Sequence, residues 1–148
     1  MNRRFFTAIV FALVAIAVSA IAAKQPAQQP ARSASGWQLP PDADTKKNPL
    51  PVDAKLIATG KAIYKENCQK CHGPSGRGDG PDADPDAAED MDLTRAARAA
   101  RNPDGVVFYK AWNGRKKPKM PAFKDELTEP QLWAVVAYVQ TLRKPATP

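Results

Sequence analysis

Side chains able to bind a metal or carry redox chemistry are scarce in this 148-residue chain, which has one histidine, two cysteines and three methionines. The histidine and both cysteines fall in one pentapeptide, Cys68-Gln69-Lys70-Cys71-His72. A structural zinc site takes four nitrogen or sulfur ligands, often from two paired clusters, so three in five residues argue against zinc. A thioredoxin-like dithiol sits between a strand and a helix, and no strand-like run precedes Cys68. An incidental disulfide is weaker still. Nucleic-acid binding has no support either, because there is no basic helix and no interleaving of aromatics with cations. The acidic run Asp82-Ala83-Asp84-Pro85-Asp86 fails as a calcium loop, since Ala87 and Leu93 stand where glycine and glutamate belong.

What remains is the pentapeptide itself, which has the C-x-x-C-H form of a c-type haem attachment site. Two cysteines three residues apart lie on one face of a helical turn, where each can form a thioether to a porphyrin vinyl group. The adjacent imidazole of His72 then points at the same ring and ligates its iron.

The ends of the chain are of different composition from the middle. Asn2-Arg3-Arg4 is a basic start, and Phe5 to Ala23 is an apolar stretch of 19 residues, so 1–23 reads as an export segment. A small-x-small pattern, Ala20-Ile21-Ala22, favours cleavage. The same stretch, as a helix of roughly 28 Å, is also nearly long enough to stay as a membrane anchor. No cysteine follows it, which excludes a bacterial lipoprotein anchor. Residues 24–51 are rich in proline and alanine and read as a linker and extended segment. Within it Trp37 either packs on the domain as a lone anchor or lies in an exposed tail. The domain itself spans 52–144, and 145–148 is a tail.

Helical signals dominate that domain, so its fold class is all-α. Asp53 is placed to cap a helix whose apolar positions lead straight into Cys68. The glycine- and proline-rich run Gly73 to Pro81 must be a loop. Thr94 is expected to cap an alanine- and arginine-rich turn, and Asp104 a helix that Asn113-Gly114 ends. Thr128-Glu129-Pro130-Gln131 is a capping-box pattern opening a final helix with the stripe Leu132, Val135, Val136, Val139 and Leu142. This helix is expected to cross the first, with Gly60 allowing close approach.

A sixth iron ligand has few sources. With His72 used there is no second histidine, and Met1 lies outside the domain, which leaves Met91 and Met120. Met120 is favoured, because Pro118-x-Met120-Pro121 holds it stiffly and 48 residues separate it from His72, enough chain to pass around a porphyrin edge. Met91 lies closer, in a stretch dense in acids.

From Val52 to Arg143 the chain resembles the class I cytochromes c, small monohaem electron carriers, and it looks nearest to their exported bacterial branch. The matching residues are Gly60 and Tyr64, Cys68-x-x-Cys71-His72, Gly78-Asp79-Gly80-Pro81, Lys119-Met120-Pro121-Ala122-Phe123, and Val135-x-x-Tyr138. The resemblance implies about four short helices around one covalently attached haem (heme c), held by Cys68 and Cys71 and ligated by His72 and Met120. It also implies that the carbonyl of Pro81 accepts the second N–H of His72. Function would then be single-electron transfer in a periplasmic or membrane-associated chain, without enzymatic activity. A haem subunit or tethered module of a dehydrogenase or oxidase is the first alternative, and a sensor or peroxidase with an open distal site the second.

Charge is uneven around this expected site. Lys110, Arg115, Lys116, Lys117, Lys119 and Lys124 flank Met120 in a chain of net charge +7. They read either as a basic rim for acidic redox partners or as ordinary solvated surface, and Arg115 is also placed to pair with a haem propionate.

Overall fold

The computed structural model describes residues 31–32 and 36–143. The stretch 1–23 read as an export segment, most of the linker before Gly36, the last domain residue Lys144 and the tail 145–148 lie outside the described residues. Among those described, no helix is long and apolar enough to cross a membrane.

Three helices of ten or more residues form the frame. Helix α1, Ala54–Asn67, opens at Asp53, whose carboxylate accepts the Leu56 N–H at 2.7 Å. That bond satisfies one of the donors a helix start leaves unpaired. A single further turn, α2 (Gln69–His72), follows Cys68 and stops at Gly73, whose φ of 75° suits glycine best. Short turns α3 (Ala88–Met91) and α4 (Ala96–Ala99) lead to α5, Asp104–Asn113. The last helix, α6, is Glu129–Leu142, and Thr128 and Gln131 form the expected reciprocal cap.

Two capping expectations are corrected. Thr94 does not cap α4, because its N–H and hydroxyl both donate to the Asp92 carboxylate (2.8 and 2.7 Å) in a local turn, leaving Arg95 at the helix start. Asp104 is the first residue of α5 and Pro103 precedes it as N-cap. The Asp104 carboxylate instead accepts from Gln140 Nε2 at 2.8 Å and from the Asn48 N–H at 3.2 Å, tying α5 to α6 and to the segment before α1.

Packing is centred on α6, where every residue from Leu132 to Val139 is buried. Helix α1 crosses it at Gly60, and a Cβ built on Gly60 would overlap the backbone carbonyl of Ala134. Backbone contact at this point brings Tyr64 and Tyr138 edge to face, with centroids 5.2 Å apart. On the other side Phe108 of α5 stacks on Trp133 at 4.2 Å.

The segment before α1 is extended but not detached. Strand β2, Gln38–Leu39, pairs antiparallel with β1, Ala31–Arg32, and the chain then turns and runs along α5. Trp37 and Ala43 are buried, at 8% and 2% exposure, so of the two readings of Trp37 the packed one holds.

Gly60→Ala should destabilise the protein by about 3 kcal/mol, the upper range for overpacking a core, because α1 and α6 must separate to admit one methyl group. Denaturant unfolding of the holoprotein measures this, and an unchanged midpoint would mean that the helices do not meet there.

Candidate haem-binding site

Cys68 is the joint between α1 and α2. Its N–H donates to the Tyr64 carbonyl at 2.9 Å, and its own carbonyl accepts from Cys71 at 3.3 Å and His72 at 3.0 Å. These bonds wind the five residues 68–72 into one turn, which brings the two cysteines and the histidine together. Both cysteines are unbridged thiols. Burial, with a smaller contribution from Cys71, pushes the Cys68 thiol up to about 12, the opposite of what a redox dithiol needs.

The imidazole of His72 is fixed from behind. Its Nδ1 lies 2.7 Å from the Met91 carbonyl oxygen, an acceptor only, so Nδ1 carries the proton and Nε2 keeps its lone pair. Burial lowers the His72 pKa against the opposing effect of this bond, which keeps the ring neutral. Pro81, expected as the acceptor, is exposed and does not serve. The backbone at Asp82 is held to the Lys70 carbonyl (2.8 Å), while Leu93 bonds the Gly76 carbonyl (2.7 Å) and draws the 91–93 segment across the imidazole.

The two methionines are separated by this arrangement. Met91 is 7% exposed, its carbonyl is on the Nδ1 edge of His72, and its sulfur accepts from the Asp84 N–H at 3.3 Å. The backbone of Met120 exchanges two hydrogen bonds with Arg115, each 2.9 Å, closing a small loop below α5. Gly114 permits it: φ is 61° there, and a Cβ would come within 2.5 Å of the Met120 carbonyl oxygen.

Two adjoining hollows, of about 780 and 550 Å³, share five wall residues: Trp37, Cys68, His72, Asp90 and Met120. They form one slot in which His72 and Met120 both take part. Tyr64, Leu93, Val107, Val135 and Val139 give it apolar walls. Charge enters as five cations, Arg98, Lys110, Arg115, Lys119 and Arg143, against the carboxylates of Asp90 and Asp92.

That excess has visible effects. Burial, and then the neighbouring charges of Arg115 and Arg98, push the Lys110 ammonium down to about 8. Arg143 keeps its Nε buried without a hydrogen-bond partner. Asp90 bonds Arg98 and Arg115, each at 2.6 Å. Its burial alone would raise the carboxyl pKa, but those two hydrogen bonds and charges outweigh it and hold it below the ordinary value. The apolar walls and the surplus of cations suit a mostly apolar group with two carboxylates, such as haem with its propionates, which would offset two of the three surplus positive charges.

A family model for cytochrome c matches residues 57–143. The chain belongs to the cytochrome c family. Its fold is the all-α cytochrome c fold, and membership implies a covalently bound c-type haem. Among solved structures, this cytochrome is similar to a chain of the Kuenenia stuttgartiensis reducing HAO-like protein complex Kustc0457/Kustc0458, at 29% identity and a TM-score of 0.52. The match covers 65% of this chain and 47% of that one, so the cytochrome spans about half the length of its neighbour. It is also similar to the KustC0563 c-type cytochrome, at 26% identity and a TM-score of 0.47, over 57% of this chain and 98% of that one.

Of the six cations that the sequence places around Met120, Lys110 and Arg115 are partly buried and line the slot, so the rim reading is corrected for Lys110 while Arg115 stands where pairing with a propionate was also expected. Lys116, Lys117 and Lys124 are exposed, and Lys119 is exposed at the edge of the second hollow. Arg98, Arg143 and the Met91 carbonyl were missed, because none belongs to a motif; only proximity in the fold gives them their roles.

Asp90→Asn should lower stability at neutral pH by about 2 kcal/mol, the scale of hydrogen bonds to charged groups, and should flatten the acid limb of the stability curve. The sign follows from linkage. A carboxyl whose folded pKa lies below its unfolded value of 3.8 stabilises above that value, and the contribution is lost as pH falls through the depressed folded pKa. Thermal melts of both proteins from pH 7 to pH 2 give the comparison, and parallel curves would contradict it.

Proposed function

We propose that this cytochrome is a single-electron carrier with one haem, joined through the sulfurs of Cys68 and Cys71 and ligated by His72 Nε2 and the Met120 thioether. The observation that carries the reading is the shared slot: His72 and Met120 wall both of its halves, while Met91 borders only the second and is engaged there, its carbonyl on His72 Nδ1 and its sulfur on the Asp84 N–H. When bound, haem supplies a one-electron ferrous/ferric couple.

Each side chain has a physical task. The Met91 carbonyl holds the His72 proton at Nδ1 and so orients Nε2. A neutral, soft thioether at Met120 favours the ferrous state more than a second imidazole would, which sets the potential comparatively high. Arg98, Lys110, Arg115 and Arg143 would receive the propionates. With His72 and Met120 both engaged, the iron would have no place left for peroxide or a gas, which disfavours a peroxidase or sensor and supports a carrier over an enzyme.

Partners are redox proteins with acidic docking surfaces, since Lys116, Lys117, Lys119 and Lys124 are exposed around the Met120 loop. Nucleic acid has no part in this reading. Residues 1–23 direct the haem domain, 52–144, out to the periplasm, either cleaved or retained through Phe5 to Ala23 as a membrane anchor. A second reading, a haem-bearing subunit of a larger assembly, draws on the neighbour that belongs to a protein complex. Size-exclusion chromatography of native extract separates the two, because a carrier elutes as a small free protein.

The ferric holoprotein should show the weak near-infrared sulfur-to-iron charge-transfer band. Met120→Ala should abolish it and Met91→Ala should keep it. Loss in Met91→Ala with retention in Met120→Ala would overturn the ligand assignment.

A further inference from the structure

Among the described residues, Trp37 is the one before Tyr64 that lines the slot, and it lies outside the segment matched by the family model. It arrives there on a strap, residues 36–50, that is fastened to α5 and α6 along its length. The Gln38 carbonyl accepts from Asn113 Nδ2 at 2.9 Å, and the Lys46 carbonyl accepts from the Gly105 N–H at 3.0 Å. Asn48 Nδ2 donates to the Trp133 carbonyl at 2.9 Å. Gly105 lets the strap lie flat, because a Cβ there would overlap the carbonyl of Ala43.

At the end of this strap the indole is 8% exposed and borders both halves of the slot. Its face meets the Arg115 guanidinium at 4.3 Å and the Lys110 ammonium at 5.1 Å from the ring centroid, within cation–π range. An apolar ring in that place keeps water from the slot and holds two of its cations inward.

We propose that the strap is a seal added to the cytochrome domain, with Trp37 as a positioning residue that excludes water from the haem slot and thereby sets the reduction potential and the access of outside ligands. The inference rests on the haem reading above. Its physics is dielectric: the oxidised centre carries one more positive charge than the reduced one, so excluding water disfavours oxidation and raises the potential.

Three variants of the full-length holoprotein test it. Trp37→Ala should lower the potential and bind added imidazole several-fold faster, while keeping covalent haem and the near-infrared band. Gly105→Ala, which keeps the indole but lifts the strap that carries it from α5, should move both readouts the same way. Trp37→Phe should restore most of each. An unchanged potential and unchanged imidazole binding in Trp37→Ala, with the band intact, would overturn the seal and leave the carrier reading standing. Loss of the band in Trp37→Ala would also overturn it, since the indole would then be supporting the Met120 loop. A wild-type protein without covalent haem would remove both readings together.

Discussion

Backbone-to-backbone contact between α1 and α6 at Gly60 and Ala134 is the constraint from which the rest of the molecule follows. It sets the end of α1, and so the place from which Cys68, Cys71 and His72 project. The same contact turns Val135 and Val139 of α6 into the slot as apolar walls. A larger residue at position 60 would move the attachment turn away from those walls, so one missing side chain aligns the two halves of the site.

The slot built on that frame is unusual in polarity more than in shape. Its walls are apolar near His72, yet five cations line it, and among the described residues only Asp90 and Asp92 oppose them. Burying such a surplus is costly in the polypeptide alone, as the lowered Lys110 pKa and the unsatisfied Arg143 Nε register. On the proposed reading, a cofactor bearing two carboxylates would offset part of that surplus.

Around His72 and Trp37 the differences from sequence expectation share one cause. The acceptor for the imidazole N–H moved from Pro81 to Met91 because loop hydrogen bonds at Lys70 and Gly76 decide which carbonyl reaches the ring. Lys110 and Arg115, adjacent in sequence to exposed lysines, turn inward because α5 and the Arg115–Met120 pairing orient them. Trp37 sits in a stretch whose composition reads as linker, and only the fit of the strap against Gly105 shows that it packs.

Local chemistry was legible without a structure. The cysteine and histidine spacing, the caps at Asp53 and Thr128, the glycine loop and the crossing at Gly60 each depend on residues close in the chain or on a single side chain being absent. Composition alone also narrowed the sulfur ligand to two methionines. Tertiary structure decided which carbonyl holds His72, which cations line the slot, and that Met120 borders both of its halves while Met91 borders one. Those relations join residues tens of positions apart, and they arise from packing geometry that no local pattern records.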